Sequence, residues 1–272
     1  MAVLRTLFQL FKEAFGYKTF SVFKRITIFK NLVALYAKSK SATRTVSEVR
    51  VQLDGFEIFA YNYSTLIALY RDIFLKQVYQ FNTKNDQPFI IDGGANIGMS
   101  ILYFKSLFPN AEIWAIEPNP TAFTLLQKNI FANQITGVTL FACALSEVEG
   151  KIDFYIPAQK GSLNGSVNSN YVPGILSQVD AKRLSDLIGS RKVDVVKMDI
   201  EGAENSVIKE LYEHHVLGNI DQCILEYHHL NNDQVAYDLF LSYFLANKFE
   251  CEILAREIGF NGGENIVMHF KK

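Results

Sequence analysis

The 272-residue sequence predicts a doubly wound α/β fold with a mostly parallel sheet. From residue 88 onward, short apolar runs alternate with segments whose apolar residues recur every three or four positions, so strands alternate with helices. The first run, at 89–91, leads through a carboxylate and a glycine-rich turn into a helical pattern. Alternation of this kind is typical of a parallel sheet covered by helices on both faces.

The amino-terminal residues 1–45 predict two amphipathic helices, because their apolar and aromatic residues recur at helical spacing. Residues 1–50 contain ten Lys and Arg against two acidic residues, a charge of +8 that leaves −9 for the remainder. Three interpretations stay open. The helices pack on the domain or on a partner chain, they dock on an anionic membrane surface, or the segment is disordered. We predict an amino-terminal helical extension at 1–48 and one domain at 49–272, whose core begins at about residue 88.

The remaining elements follow in order along the chain. Alternation around Asp54-Gly55 predicts a hairpin within 46–63, and the pattern of 65–81 predicts a helix. The Gly-, Ser- and Asn-rich residues 158–179 predict a surface loop. We predict further strands at 112–116, 138–142, 151–156, 193–198, 223–227, 250–254 and 265–270, and further helices at 121–132, 183–188, from 204 to about 214, and at 235–247.

Composition restricts the class of protein. A net charge of −1, with the acidic excess after residue 50, argues against a nucleic-acid partner. Cys143, Cys223 and Cys251 lie far apart beside apolar runs, which predicts buried reduced thiols and a reducing compartment. No apolar run reaches the length of a membrane span, and the first residues lack the pattern of a signal peptide. The sequence therefore predicts a cytoplasmic protein, with membrane association left open.

Polar residues stand at the carboxyl ends of four predicted strands, where open α/β sheets bind ligands. They are Asp92, Glu117, Asp199, and the pair Glu226 and His228. One polar residue at a strand end is usually explained by exposure to solvent, but four such ends on one edge of the sheet are not. We therefore expect the functional site there.

The first two strand ends predict a nucleoside-binding site. Gly94, Asn96 and Gly98 shape a turn that a ligand can approach closely, and Asp92 suits an amine or hydroxyl group. The carboxylate of Glu117 can accept two hydrogen bonds from a ribose diol. The glycine spacing departs from the Gly-x-Gly-x-x-Gly of nicotinamide-binding turns, and the sequence has no lysine phosphate-binding loop.

Four segments carry a resemblance to a known family. They are Asp92–Gly98, Glu117–Asn119, Ala144–Ser146 with Gly150, and Val195–Glu204. Together they resemble the FkbM-type family of S-adenosylmethionine-dependent class I methyltransferases, over roughly residues 49–230.

The resemblance implies a Rossmann-like sheet of seven strands, one of them antiparallel. It implies that the core from about residue 88 binds S-adenosylmethionine, with Asp92 to Gly98 at its methionine part, Glu117 at the ribose hydroxyls, and Cys143 and Ala144 beside the adenine. Pro118 and Asp199 are also expected at the cofactor. The implied reaction is O-methylation of a sugar or glycan, or of a polyketide-like natural product.

Methyl transfer to a hydroxyl benefits from a base, and His228 is the first candidate because histidine titrates near neutral pH. Asp199 and Glu201 are the next candidates. Lys197 lies inside a predicted central strand, so it needs a partner, for which we expect Asp199, Glu201 or Glu204. Asp199 and Glu226 could also bind Mg²⁺, although two carboxylates are not a metal motif, and we assign no metal ligand.

Two other functions compete with O-methylation. An amine methyltransferase acting on nucleic acid would carry an Asn/Asp-Pro-Pro-aromatic motif where Asp199-Ile200-Glu201-Gly202 stands. The other alternative is a non-catalytic scaffold that keeps nucleoside binding and docks on a membrane or a partner through residues 1–45.

Overall fold

A computed structural model describes residues 2–41, 48–157, 165–166, 174–229, 233–258 and 263–272. The chain divides into two compact units, Met1–Gln77 and Val78–Lys272. The predicted domain boundary at 48/49 lies inside the first unit and stays a prediction. Among the described residues, no helix combines the length and hydropathy needed to cross a membrane.

The first unit consists of a helical pair and a small α/β element. Helices α1 (Ala2–Gly16) and α2 (Val22–Ser41) precede an antiparallel hairpin of β1 (Val49–Leu53) and β2 (Phe56–Ala60), and then α3 (Tyr63–Leu69), which continues as a π-helical turn to Leu75. The predicted helical pair and hairpin are therefore present, but the helix predicted at 65–81 ends six residues early.

Ion pairs and buried apolar residues join the helical pair to the rest of this unit. The Arg71 guanidinium lies 2.6 Å from the Glu13 carboxylate, and the Lys24 ammonium lies 2.9 Å from Asp54. Leu10 and Leu32 are buried almost completely. Each helix thus has one face that belongs to the core of the unit.

The second unit is built on a seven-stranded sheet. Its strands are β3 (Phe89–Gly93), β4 (Glu112–Ile116), β5 (Val138–Phe141), β9 (Val193–Met198), β10 (Ile220–His229), β11 (Glu250–Ile258) and β12 (Glu264–Lys271). The strand order is β11-β12-β10-β9-β3-β4-β5, and only β12 runs antiparallel to its neighbours. The predicted mostly parallel sheet with one antiparallel strand is confirmed.

Helices connect the parallel strands. They are α4 (Met99–Leu107), α5 (Pro120–Ala132), α6 (Leu184–Ile188), α7 (Glu204–Glu213) and α8 (Gln234–Ala246), with a 3₁₀ turn at Leu217–Asn219. The central strand β3 is buried at every position, as expected for a strand covered on both faces. Its last residues and those of β9 lie side by side, with Asp92 opposite Lys197. This register brings the carboxylate near the end of β3 beside the lysine near the end of β9.

One predicted loop is partly a strand. Residues 174–182 form β8, which pairs antiparallel with β7 (Gly150–Pro157) and parallel with β6 (Ala144–Leu145) in a second, three-stranded sheet. The loop prediction for 158–179 was therefore wrong over 174–179. The first residues of β8 are mostly exposed and lack a clear apolar alternation, so pairing with β7, not local pattern, makes them a strand. The remaining loop residues lie outside the described part except Gly165 and Ser166.

One cysteine also departs from expectation. Cys143 and Cys223 are buried, but Cys251 is exposed. Cys251 lies on β11, the edge strand of the large sheet, whose side chains are mostly exposed.

Candidate active site

The turn after β3 is fixed to the neighbouring strand ends by its backbone. The amides of Gly94 and Ala95 donate to the carbonyl oxygen of Ile116, at the end of β4. Gly94 has a φ of +74°, and a Cβ there would lie 1.8 Å from the carbonyl oxygen of Asp199. Only glycine fits this close approach. The turn thus joins the ends of β3, β4 and β9 in one place.

Glu117 holds the same turn from the end of β4. Its two carboxylate oxygens accept hydrogen bonds from the amides of Asn96 and Asn119, both at 2.8 Å. Burial raises the pKa of Glu117 to about 7, although these two hydrogen bonds act in the opposite direction. Each oxygen of a carboxylate can accept a further hydrogen bond, so Glu117 keeps the capacity to bind a diol.

The other predicted cofactor residues lie close to Glu117 along the strand ends. Pro118 follows it directly and is partly exposed. The Glu117 amide donates to the carbonyl of Phe141, the last residue of β5, and the buried Cys143 and Ala144 follow two and three residues later. Gly98 precedes α4 with a φ of +86°, where a Cβ would meet Leu126.

Asp92 and Lys197 form a buried ion pair beneath the turn. The Lys197 ammonium lies 3.1 Å from Asp92 Oδ1 and donates to the carbonyls of Gly93 and Gly94, while the Ser100 hydroxyl donates to Asp92 Oδ2 at 2.5 Å. Burial alone would lower the pKa of Lys197, but the nearby carboxylates, Asp92 foremost, raise it overall. The partner of Lys197 is thus Asp92 on the adjacent strand, and not Asp199, Glu201 or Glu204 as expected.

A histidine surrounded by carboxylates lies at the ends of β9 and β10. The Nδ1 of His228 is 3.0 Å from the fully buried carboxylate of Glu204, and its Nε2 faces three more carboxylates. The Nε2 distances are 3.4 Å to Glu201, 4.0 Å to Asp199 and 4.0 Å to Glu226. The structure therefore brings the three predicted catalytic residues, His228, Asp199 and Glu201, into one cluster.

Burial and the neighbouring charges shift the pKa values of the groups in this cluster. Burial alone would lower the pKa of His228, but the carboxylates, Glu204 foremost, raise it well above its usual value. Burial raises the pKa of Glu201 to about 7 and that of Glu226 to about 8, against the opposing effect of His228. Imidazolium is therefore the stable form of His228 at neutral pH, and Glu201 and Glu226 are the carboxyl groups that titrate near it.

Residues from distant parts of the chain hold the cluster in place. The hydroxyl of Tyr79, which is almost fully buried, donates to Asp199 at 3.1 Å, and the Asn265 amide donates to Glu226 at 3.3 Å. The buried Ser166 hydroxyl donates to the backbone carbonyl of Glu201 at 2.6 Å. Glu204 also accepts from the amides of Ile200 and Gly202.

Sequence reasoning did not find Tyr79, Ser166 or Asn265. Tyr79 lies in a predicted helix 120 residues before its partner, and Ser166 lies in a stretch that reads as an ordinary polar loop. Glu226 and His228 did carry a signal, because alternate residues of one strand point to the same face.

Three of the side chains can also act as ligands of a cation. Asp199, Glu226 and His228 each offer one donor atom, and these atoms lie within 4.8 Å of one another. Asp199 and Glu226 are the two carboxylates that the sequence offered for Mg²⁺ without an assignment as ligands, and His228 is added to them here.

The fold and this site define the class of protein. A mostly parallel sheet has a glycine turn after β3 and a buried carboxylate after β4, beside an acidic cluster. This is the arrangement of a class I S-adenosylmethionine-dependent methyltransferase. Residues 92–252 match the family model described as the methyltransferase FkbM domain. The chain therefore belongs to the FkbM methyltransferase family.

Three curated relatives illustrate the family. Methyltransferase 1 of Beauveria bassiana is 31% identical over 61% of this chain and 76% of its own length. The 2-O-methyltransferase NoeI of Sinorhizobium fredii is 31% identical over 49% of this chain and 60% of its own. The 31-O-demethyl-FK506 methyltransferase FkbM of Streptomyces tacrolimicus is 28% identical over 52% and 66%, respectively.

The residues present fit the cofactor of this class. Glu117 has unused acceptor capacity for the ribose hydroxyls, and the carboxylates of the site suit a molecule that carries an ammonium and a sulfonium group.

Proposed function

We propose that this protein transfers the methyl group of S-adenosylmethionine to a hydroxyl of a sugar or glycan, or of a polyketide-like natural product. The cluster around His228 is the observation that carries the proposal, because a hydroxyl acceptor must lose a proton during transfer. Two relatives with O-methyltransferase names support oxygen as the acceptor atom.

Binding and alignment fall to the strand ends of β3 and β4. The cofactor supplies, when bound, a methyl group already activated by a positively charged sulfur. The turn at Gly94 to Gly98 fixes its amino-acid part, Glu117 fixes the ribose, and Pro118, Cys143 and Ala144 border the base. Alignment of two reactants in a rigid site contributes several kcal/mol to catalysis.

Proton removal falls to the cluster, and within it to Glu201. The pKa of Glu201, about 7, suits a base at neutral pH, whereas the raised pKa of His228 keeps the imidazole protonated. The Glu201 carboxylate would accept the hydroxyl proton of the acceptor, while the bound cofactor would supply the methyl group. His228 then acts as the cation that keeps Glu201 ionised, and Glu204 fixes the ring through Nδ1. This assignment revises the sequence-based hypothesis that His228 itself is the base.

Calorimetry with S-adenosylhomocysteine tests the cofactor site on the full chain. We expect the native protein to bind it, and Glu117→Ala and Asp92→Ala to bind it at least about tenfold more weakly, because each loses a charged hydrogen-bonding group. Glu112→Ala, an exposed carboxylate of β4 paired with Arg191, serves as the matched control with native affinity. A folded native protein without binding would exclude methyl transfer, and native affinity in both test variants would overturn the cofactor placement.

A second experiment separates proton removal from metal assistance. With Glu201 as base, turnover with a hydroxyl acceptor is unchanged after dialysis against EDTA. Turnover that is lost on chelation and restored by Mg²⁺ would instead assign Asp199, Glu226 and His228 to a cation, a role that their donor atoms permit.

A further inference from the structure

The helical pair of the first unit presents an apolar surface outside its core. Leu4, Phe8 and Phe11 follow one another on α1 at spacings of four and three, and their exposed fractions are 72, 59 and 44%. The buried Leu10 and Ala14 lie on a different face of the same helix. Helix α1 therefore has two apolar faces, and the one with Leu4, Phe8 and Phe11 stays largely exposed among the described residues.

The apolar surface continues onto α2. The Phe11 ring stacks on Phe15 at 4.3 Å and meets the Phe29 ring edge-on at 5.7 Å, which joins the two helices. Phe23 is 85% exposed, and Val22 and Ile26 are exposed beside it. We call the set Leu4, Phe8, Phe11, Val22, Phe23 and Ile26 the aromatic face.

Basic residues border the aromatic face. The Lys12 ammonium lies 4.7 Å from the centre of the Phe8 ring, and Lys30 lies one turn beyond Ile26 on the same side of α2. Glu13, the only acidic residue of the two helices, is held by Arg71. Arg5 stands beside Leu4. The surface thus combines exposed aromatic rings with positive charge that no acidic residue of the two helices offsets.

We infer that the aromatic face docks on an anionic lipid surface, with α1 and α2 lying in the plane of the interface. Aromatic rings flanked by lysine and arginine are the composition of helices that bind at the headgroup level, where anionic lipids attract the basic residues. A second copy of the chain is a poorer occupant, because a twofold contact would place this positive surface against itself.

Vesicle co-sedimentation of the full chain tests the inference. We expect binding to vesicles of 30% phosphatidylserine in phosphatidylcholine, little binding to phosphatidylcholine alone, and loss of binding on raising the salt to 0.5 M. The double variant Phe8→Ser/Phe23→Ser should bind at least about tenfold more weakly, because two exposed rings can no longer be buried in lipid. Lys12→Gln/Lys30→Gln should lower binding to the anionic vesicles by roughly tenfold or more.

A matched control removes the same side-chain types from the other unit. Lys128 and Phe131 lie on α5, where the Phe131 ring is 87% exposed. Lys128→Gln/Phe131→Ser should bind vesicles like the native protein. Circular dichroism and S-adenosylhomocysteine calorimetry on every variant show that folding and cofactor binding are retained, so failure here is distinct from failure of the methyltransferase proposal.

Three outcomes would overturn the inference. The native chain does not sediment with the anionic vesicles, the Phe8→Ser/Phe23→Ser variant sediments as the native chain does, or the α5 control loses binding equally. Size-exclusion chromatography with light scattering provides a fourth: a native dimer that this variant converts to a monomer would assign the aromatic face to self-association.

Discussion

The charge of one imidazole, that of His228, governs the proton chemistry of the candidate site. Burial and carboxylates act on its pKa in opposite directions, and the carboxylates prevail. The residue identified from the sequence as a base is therefore a cation in the free protein. Residue type and position predicted that His228 belongs to the site, but its charge depends on Glu204 and Glu201, whose closeness only the fold reveals.

The pH dependence of turnover distinguishes a base from a cation at this position. With Glu201 as base, kcat should rise with pH through an apparent pKa near 7, because the carboxylate must be ionised to accept the proton. Glu201→Gln should lower kcat by about 10² or more at every pH. In His228→Asn the positive charge is gone, so the rise in kcat should move to higher pH and a large part of the rate should return above pH 8.

The control for this pair is a histidine outside the cluster. His269 lies on β12, and its ring is next to Gln222. His269→Asn should leave the pH profile unchanged. A His228→Asn enzyme whose rate stays about 10² down across the whole pH range would return the role of base to His228, and native turnover would remove it from the mechanism.

At the scale of the element, the turn between β3 and α4 depends on a close backbone contact with Asp199, directly after β9. The turn itself could be predicted from the sequence, since a strand followed by Gly93-Gly94 and a helical pattern indicates a tight turn. The structure adds a requirement that the sequence did not predict. A side chain at Gly94 would collide with the backbone of Asp199, a contact between segments about 100 residues apart. The strand β8 was missed for a similar cause, because its identity comes from pairing with β7.

Gly94→Ala should therefore destabilise the protein strongly. The added Cβ would collide with the Asp199 carbonyl oxygen in a left-handed conformation that alanine disfavours, which together cost about 3 kcal/mol or more. Chemical denaturation measures this loss. Cofactor affinity should fall as well, because the turn and Asp199 can no longer approach each other.

Gly150→Ala is the matched control. Gly150 also has a positive φ, +113°, but a Cβ there meets nothing within 4 Å. Only backbone strain of about 1–2 kcal/mol should appear. Equal losses in the two variants would mean that left-handed strain, and not the contact with Asp199, makes Gly94 necessary.

At the scale of the whole molecule, the two units differ in charge as well as in structure. The sequence alone predicted the basic extension and the acidic catalytic part, because charge is read directly from composition. Composition does not indicate how many of the Asp and Glu side chains are buried. Asp92, Glu117, Glu204 and Glu210 are buried in the structure, all in the second unit, and Glu201 and Glu226 are largely so.

Buried acids with raised pKa values make stability depend on pH in a definite direction. Glu117 and Glu201 have pKa values of about 7 and Glu226 of about 8, against 4.5 when unperturbed, and that of His228 is raised above 6.5. Between pH 5 and 8 the folded state therefore binds more protons than the unfolded state. Stability must fall as pH rises through this window.

Thermal unfolding should accordingly give a lower Tm at pH 8 than at pH 6. In a chain of this size a change of about 1 kcal/mol moves Tm by about 2–4 °C, so the shift is measurable. Glu226→Gln, which is neutral at all pH values, should lose less stability over the same interval than the native protein. Glu112→Gln is the control. Arg191 lowers the pKa of Glu112, so this carboxyl is already ionised at pH 6 and does not titrate between pH 6 and 8. The change of Tm with pH in this variant should match that of the native protein.

A native Tm that is constant or rises between pH 6 and 8 would contradict the prediction. It would show that the carboxylates of the cluster are ionised in the folded protein, and Glu201 would then no longer be suited to accept the proton at neutral pH.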